Sequence, residues 1–428
     1  MTAVVARISG ATVVRRHSRA TGSLQRERHQ PDYAILIAVV ALTAIGVLMV
    51  YSSSAIKAYL GKTNDSFAVV GPQVVWAVLG FVAMGVMTRV DYRYLRLISV
   101  PAYVVALVLL VLVFVPSLNY VVGGSARFLQ VGPLPAVHPA EIGKIALVIY
   151  LAHWFAKTGT RVGSFWRGTL AFLVIVAPIV MLVVAEPDLG TTAVITLTAL
   201  TMFFVAGASL SHLVGLGGIG LMGVVTVIAS HPYQLDRIRA FLDPWKDPLG
   251  IGHQTIQGLL ALALGGMFGA GLGESRLAGG LFLPNASNDF IFAIIGEEFG
   301  LLGAGLVILL FVVIGYQGVR TALSAPDTFG SLLAAGITAW LCIQAFINIA
   351  VVVALVPITG ITLPFVSAGG SSLSISLAAA GILLSISRET VERGTWNDAS
   401  ADRGRGHGRA HLPGPGRRPV SQRSSGRA

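Results

Sequence analysis

The side chains best suited to chemistry are concentrated between residues 231 and 300. Charged groups alternate there with Gly- and Pro-rich turns: Asp236, Arg237, Arg239, Asp243, Lys246, Asp247, Glu274, Arg276 and Asp289. The apolar run 255–267 interrupts them and is shorter than the ~20 residues that a membrane-crossing helix needs. We expect it to lie at the membrane interface or to dip into the bilayer and return. Loops this long are usually functional or disordered, and this one is too apolar to be disordered.

Asp289 stands where this polar stretch meets an apolar run, ahead of Glu297 and Glu298. At ~100° per residue, Glu297 lies about 80° round the helix from Asp289 and ~12 Å deeper. A carboxylate at the mouth of a membrane cavity is partly desolvated, which raises its pKa and makes it a competent proton acceptor. The alternative is that Asp289 only caps the following helix. We favour the proton acceptor.

A second polar set, Glu141 and Lys144, interrupts another apolar run. The two residues are three apart and share a helix face, and Pro139 fits the first turn of that helix. Charges inside a membrane segment are costly, so they are usually paired or line a polar cavity. Either a structural ion pair or part of a substrate cavity fits this spacing.

A third set forms the tight turn Glu186-Pro187-Asp188. Pro187 disfavours helix at Glu186, and Asp188 is well placed to cap the next helix. Capping alone would explain Asp188. The alternative is that both carboxylates face a substrate.

The elements that must position these groups are membrane helices. The 428 residues are 54% hydrophobic and only 11% charged, whereas soluble domains carry about 25% charged residues. We therefore predict an all-α integral membrane protein with about ten transmembrane helices and a large extracellular loop, 231–289, between helices 7 and 8. The apolar runs are 33–51, 69–87, 97–115, 140–156, 169–185, 190–207, 210–230, 290–316, 329–353 and 370–387.

The basic residues orient this membrane domain, which we assign to 33–388. If both termini are cytoplasmic, 22 of the 30 Lys and Arg lie inside, as the positive-inside rule requires. The polar segments 1–32 and 389–428 are then disordered cytoplasmic tails. Although the net charge is +11, we read it as an orientation signal and expect no nucleic-acid partner. All three polar sets lie on or near the outer side.

Five spaced stretches, in order, resemble the SEDS family of FtsW, RodA and SpoVE proteins. The similarity spans residues 33–388 and is carried by GGSARFLQVGPLPAVHPAEIGK (123–144), EPDLGT (186–191), DPWKDPLGIGHQ (243–254) with GLGESR (271–276), LPNASNDFIFAIIGEEFG (283–300) and VPITGITLPFVSAGGSS (356–372). GLGESR and IIGEE are more similar to division-type FtsW than to elongation-type RodA.

The resemblance implies a ten-helix peptidoglycan glycosyltransferase of the bacterial cytoplasmic membrane. Such enzymes polymerise lipid II, the undecaprenyl-pyrophosphate disaccharide-pentapeptide, on the outer face during cell division. It implies a class B penicillin-binding protein transpeptidase and other divisome membrane proteins as partners. The family's proposed catalytic aspartate falls on Asp289. Direct displacement inverts the anomeric centre and needs one base, unlike hydrolases with a carboxyl pair.

Several positions depart from the family's pattern. The family usually has Glu at Asn285 and a His-Thr pair at Ser287-Asn288, and commonly Gln at His138 and Tyr at His253. Further departures are Gly123, Ala126, Phe128 and Ala368. Asn285 removes a candidate second carboxylate beside Asp289, which disfavours a two-carboxylate or metal-bridged site.

The remaining candidate residues are assigned to substrate binding. They are Arg127, Glu141, Lys144, Glu186, Asp188, Arg237, Arg239, Lys246, Gln254, Gln257, Arg276, Glu297, Ser367 and Ser371. Cations among them would stabilise the leaving pyrophosphate. No cofactor is assigned, and a divalent cation is the one that the reaction could use. The alternatives are a lipid II flippase or other carrier, an elongation-type RodA-like polymerase, and a structural scaffold.

Overall fold

The computed structural model describes residues 30–59, 67–122, 125–130, 136–279, 282–284 and 286–389. Within these ranges, ten long helices occupy the ten predicted apolar runs, and three shorter helices lie in the outer loop. The long helices are α1 Tyr33–Tyr59, α2 Val70–Arg89, α3 Tyr94–Leu112, α4 Pro139–Thr158, α5 Ala171–Ala185, α6 Leu189–Val205, α7 Leu210–Ser230, α11 Ile291–Ser324, α12 Thr328–Val352 and α13 Ser371–Ser387. The short ones are α8 Pro232–Leu242, α9 His253–Gly265 and α10 Arg276–Gly279.

The lengths of these helices suit a bilayer. Seven of them, in the part of the chain that is described, are long and apolar enough to cross a membrane. Helices α6 and α13 have 17 residues each, the lower end of the ~17–25 residues found in spans. Helix α4 has 20 residues and contains the predicted charged pair. The predicted fold class is confirmed. The tails predicted to be disordered, and Gly123 and Asn285, fall outside the described residues, apart from a few residues next to the membrane domain.

Helices α2 and α13 cross closely because glycines stand at their contact. A Cβ on Gly80 would meet the Leu377 side chain, and a Cβ on Gly381 would overlap the backbone of Met84. Small residues let helix backbones approach in lipid, where van der Waals contact replaces the hydrophobic effect as the driving force. This crossing fixes the position of α13, and with it the position of the segment that precedes α13.

Helix α7 is packed differently from the other long helices. None of its residues is buried, and its side chains include exposed Leu210, Val214, Leu221 and Met222. An apolar helix without a buried face is stable only where its surroundings are apolar. We infer that α7 stands at the edge of the bundle with lipid around it.

The outer loop packs onto the start of α11 through α9. A Cβ on Gly258 would meet the Phe290 ring, and a Cβ on Gly265 would overlap the Gly296 carbonyl oxygen. The apolar run 255–267 therefore forms a helix, as predicted, and this helix lies against the bundle. Further on, α11 is interrupted at Gly300, where φ is 66°, a backbone conformation that glycine adopts at little cost.

A two-stranded hairpin follows α3, which the all-helical prediction did not include. Strand β1 Asn119–Val122 runs antiparallel to β2 Ser125–Leu129, with Asn119 opposite Leu129. Valine and aromatic residues favour strands, and two glycines separate the strands in the sequence. The hairpin matters for the site because Arg127 lies on its second strand.

Candidate functional site

Asp289 lies in the turn that leads into α11. It is 6% exposed, and the cap position of α11 is the next residue, Phe290, which makes no side-chain capping bond. The alternative that Asp289 only caps this helix is therefore wrong. A buried carboxyl without a capping role needs another explanation.

The backbone around Asp289 is held by residues from two other elements. Asn348 on α12 donates its amide to the Asp289 carbonyl oxygen at 2.9 Å. Ser367 donates its hydroxyl to the Asn288 carbonyl oxygen at 2.6 Å, and the Ala368 N–H bonds the Ser287 carbonyl oxygen at 2.9 Å. The predicted site residue Ser367 thus supports the turn that carries Asp289. Asn348 was not among the predicted site residues, although a polar side chain within the apolar run 329–353 could have indicated a buried polar contact.

Residues 358–361, which we call the outer segment, cover Asp289. A Cβ built on Gly360, where φ is 74°, would lie 3.9 Å from Asp289 Oδ2. Arg237 on α8 donates from Nη1 to the Ile358 carbonyl oxygen at 3.1 Å and from Nη2 to the Tyr233 hydroxyl at 2.7 Å. The structure therefore brings together Asp289, Arg237 and the outer segment.

The environment of Asp289 favours its neutral form more than water does. Burial raises the pKa of Asp289 to about 6, against the opposing effects of its own backbone N–H and of the positive charge of Arg237. A carboxyl with this pKa is mostly ionised at neutral pH, yet it is a stronger base than an ordinary aspartate. The sequence-based expectation of a raised pKa agrees with this geometry.

The turn before α6 is the third polar set, and it packs on the same outer segment. A Cβ on Gly190 would meet Thr359 and Ile361. Asp188 caps α6 as predicted, accepting the Thr191 N–H at 3.0 Å and the Thr191 hydroxyl at 2.8 Å. His138 Nε2 lies 3.7 Å from Asp188 Oδ2.

Glu186 and Asp188 are two residues apart and have opposite pKa shifts. Burial acts to raise the pKa of Asp188, but its bond with His138, the charge of Arg127 and the Thr191 N–H bring it below its usual range. Glu186 is 1% exposed, and neither of its carboxylate oxygens has a hydrogen-bond partner among the described residues. Burial and the charge of Asp188 raise the pKa of Glu186 to about 8, although the charge of Arg127 opposes them.

Arg127 joins the hairpin to this turn. Its Nε donates to the Glu186 carbonyl oxygen at 3.2 Å, and its Nη2 donates to the Pro187 carbonyl oxygen at 2.6 Å. These bonds use backbone carbonyls, and no carboxylate among the described residues lies at bonding distance from the guanidinium. Arg127 is thus a positive charge fixed at the end of the bundle where the Glu186 turn lies.

The second polar set, on α4, forms a buried ion pair, and its part in a substrate cavity stays a prediction. Lys144 Nζ lies 2.8 Å from Glu141 Oε1 and 2.6 Å from Gln344 Oε1, and it lies 5.1 Å from the centroid of the Trp340 ring. Gln344 also donates to the Thr362 carbonyl oxygen at 3.0 Å. The pair is buried and is connected to the segment that follows residue 361.

The other predicted binding residues are more scattered. Ser371 accepts the His138 N–H at 3.1 Å, and Gln254 donates weakly to the Pro284 carbonyl oxygen at 3.4 Å. Gln257 has a buried Oε1 that lacks a partner within the described ranges. Three cations are exposed, and the first of them pairs with Asp236 at 3.1 Å: Arg239, Lys246 and Arg276.

Glu297 has both carboxylate oxygens engaged by the outer loop. Oε2 accepts the Ser275 hydroxyl, and Oε1 accepts the Arg276 N–H at 2.8 Å and the Leu277 N–H at 3.4 Å. It thereby caps α10 from below. Its assignment to substrate binding stays a prediction, and these bonds give it a structural task.

No three His, Cys, Asp or Glu side chains converge as a metal site in the described part of the chain. Magnesium is commonly bound by one or two carboxylates together with substrate phosphates. Within the described residues, neither the Asp289 nor the Glu186 carboxylate accepts a hydrogen bond from another side chain, so either could contribute to such a shared site.

The membrane domain matches a family model over residues 33–392 of the 428. The model describes cell cycle proteins of the FtsW, RodA and SpoVE type. The chain belongs to this family. The resemblance seen in the motifs is confirmed, and the protein is a multi-pass membrane protein of the SEDS group.

Relatives of this SEDS protein include sporulation and FtsW proteins. It is 44% identical over 362 residues to the stage V sporulation protein E of Bacillus subtilis, covering 85% of this chain and 98% of that protein. It is 40% identical over 364 residues to the probable peptidoglycan glycosyltransferase FtsW of Geobacter sulfurreducens, covering 85% and 96%.

Solved structures share the fold of this SEDS protein. A chain from a study of polymerization and crosslinking by a peptidoglycan synthase complex superposes with a TM-score of 0.68 at 28% identity, covering 84% of this chain and 98% of that one. The rod shape determining protein RodA of Thermus thermophilus gives a TM-score of 0.62 at 24% identity, covering 85% and 98%. The RodA comparison supports the fold alone.

Proposed function

We propose that the protein is a peptidoglycan glycosyltransferase that polymerises lipid II on the outer face of the cytoplasmic membrane, with Asp289 as general base. The observation that carries this proposal is a buried carboxyl that caps no helix and has a pKa of about 6. The names of the FtsW relatives support the reaction class.

The proposed reaction is a direct displacement. The Asp289 carboxylate takes the proton from a sugar hydroxyl of the acceptor, and that oxygen forms a bond to the anomeric carbon of the donor. The bond from this carbon to the pyrophosphate oxygen breaks, and polyprenyl pyrophosphate leaves with the electron pair. One base on the face opposite the leaving group suffices, so the anomeric centre inverts. General base catalysis of this kind contributes ~10²–10⁴-fold to rate.

The cations are not equally suited to the leaving pyrophosphate. Lys144 is already paired with Glu141, whereas Arg239 and Lys246 are exposed and would be screened by water and salt. Arg237 and Arg127 are half-buried, and the hydrogen bonds that they make to described residues all go to neutral groups. We therefore assign the pyrophosphate to these two arginines, because a fixed cation stabilises charge that develops on phosphate oxygens.

We also propose that the protein works in division with a class B penicillin-binding protein and other divisome membrane proteins, with both its termini in the cytoplasm. The division role rests on the similarity of GLGESR and IIGEE to division-type FtsW and on the description of the family as cell cycle proteins. The partner rests on the peptidoglycan synthase complex, in which polymerization and crosslinking are coordinated. The orientation rests on the distribution of Lys and Arg.

Polymerisation of labelled lipid II by the purified full-length protein in detergent tests the proposal. We expect glycan strands from the wild type and a loss of ~10²-fold or more in the Asp289→Asn variant, because an amide cannot accept the proton. The matched control is Asp247→Asn, an exposed outer-loop residue whose carboxylate accepts only local N–H groups. It should retain wild-type turnover.

Two results would overturn the assignment. Wild-type turnover by Asp289→Asn would remove the general base. Transfer of labelled lipid II across vesicle membranes, with no polymer formed even when a transpeptidase partner is present, would favour the flippase.

A further inference from the structure

The amide of Asn348 joins two segments that are distant in the sequence. Nδ2 donates to the Asp289 carbonyl oxygen at 2.9 Å and to the Ile361 carbonyl oxygen at 2.8 Å. Asn348 is 1% exposed and lies near the C-terminal end of α12. One side chain therefore holds both the residue that carries the proposed base and the end of the outer segment.

These two bonds also affect the surroundings of the Asp289 carboxyl group, because the outer segment lies next to it. Gly360, the neighbour of Ile361, comes close enough that a Cβ there would lie 3.9 Å from Asp289 Oδ2. The Asp289 backbone and the covering segment thus share one fixed point on α12. If that point is lost, the distance between Asp289 and its cover is no longer set by a rigid helix.

Two carbonyl acceptors favour an NH₂ group at this position. An NH₂ group has two N–H donors, which matches two carbonyl acceptors. A leucine side chain of similar size has no donor, and an ionised aspartate would place lone pairs against both carbonyl oxygens. Leaving buried carbonyls without donors costs ~1–3 kcal/mol each.

We propose that Asn348 is a positioning residue for the transferase reaction, which sets the place of the Asp289 carboxylate by holding its backbone and the outer segment together. This inference rests on the proposed function of Asp289. Asn348 contacts no reacting atom; it acts through Asp289. A misplacement of ~1 Å at a reacting group lowers the rate by ~10²-fold, so the expected effect is on turnover.

The test compares Asn348→Leu and Asn348→Ser with the wild type in the lipid II polymerisation assay. Leucine keeps the volume and removes both donors, and serine is the milder variant if the leucine variant does not fold. The matched control is Thr338→Val on the same helix, because Thr338 is 4% exposed and its hydroxyl has no partner in the described ranges. Rates are divided by the amount of monodisperse protein.

We expect kcat of the Asn348 variants to fall by ~10²-fold while the KM for lipid II changes less than about threefold. Thr338→Val should match the wild type. A lower melting temperature with unchanged kcat per folded molecule would show a merely structural residue and overturn the inference. A raised KM with unchanged kcat would do the same.

The result also separates this inference from the proposed function. If Asp289→Asn is inactive and Asn348→Leu turns over normally, only the positioning role fails. If Asp289→Asn turns over at the wild-type rate, the proposed general base fails, and the role of Asn348 falls with it.

Discussion

Replacing Glu186 by glutamine should stabilise the protein, and the gain should depend on pH. Glu186 is buried, its oxygens lack hydrogen-bond partners among the described residues, and its pKa is raised to about 8 by burial and by Asp188. Glutamine has nearly the same shape as a protonated glutamate and carries no charge. The substitution therefore removes an ionisation that the folded state resists.

The size of the gain follows from the pKa values of Glu186 in the unfolded chain and in the folded protein. The folded state binds this proton more tightly than the unfolded chain, so stability is greatest below the ordinary value of 4.5 and falls until the pH passes about 8. One pH unit between the two values corresponds to about 1.4 kcal/mol. The cost of Glu186 is then roughly 3 kcal/mol at pH 7 and about 5 kcal/mol above pH 8, as upper limits, because water entering the site would reduce both.

Thermal unfolding of the purified protein in detergent, at about pH 5 and about pH 8.5, measures this effect. Glu186→Gln should melt close to the wild type at the lower pH and several degrees higher at the upper pH. Asp188→Asn is the matched control two residues away. The pKa of Asp188 is lowered, so its ionised carboxylate stabilises the folded state at every pH above the usual pKa of an aspartate. Loss of this carboxylate should therefore lower the melting temperature at both pH values.

A Glu186→Gln variant that melts below the wild type at the upper pH would refute the reasoning. So would a gain of the same size at both pH values, because it would come from packing rather than from ionisation.

Three further predictions concern other groups of the site and the loop. Arg237→Ala should move the acid limb of the kcat profile to higher pH, since a cation that favours the Asp289 carboxylate is lost; a profile unchanged in position would contradict this. Lys144→Met should lower the free energy of unfolding by ~3–5 kcal/mol, seen as a lower melting temperature, because it leaves the buried Glu141 charge unpaired. Adding Glu141→Leu should restore much of this stability. Gly269→Ala should make the outer loop more sensitive to protease in intact vesicles, because φ is 83° and the new Cβ would overlap a carbonyl of α11.

The helices could be predicted because each apolar run is longer than the apolar runs that the core of a soluble protein requires. Local rules also gave the Asp188 cap and the Glu141–Lys144 pair, since both depend on residues three apart in one helix turn. The placement of Asp289 at the start of α11 followed from the change between polar and apolar sequence.

The contacts that could not be predicted all join distant parts of the chain. Asn348 meets Asp289 across 59 residues, and Arg127 reaches the Glu186 carbonyl across the same separation. Glu297 was expected to lie deeper than Asp289, but its partners, the Ser275 hydroxyl and the Arg276 N–H of the outer loop, could not be read from that spacing. Helix periodicity gives the direction of a side chain and does not give the partner that it meets.

The pKa of about 6 at Asp289 has a consequence for the living cell. On the orientation we propose, this buried carboxyl lies at the outer side of the membrane, so the protons that titrate it come from the medium. Acid surroundings would then protonate the base directly and slow wall growth, while the cytoplasmic steps that supply the precursor continued at their usual pace.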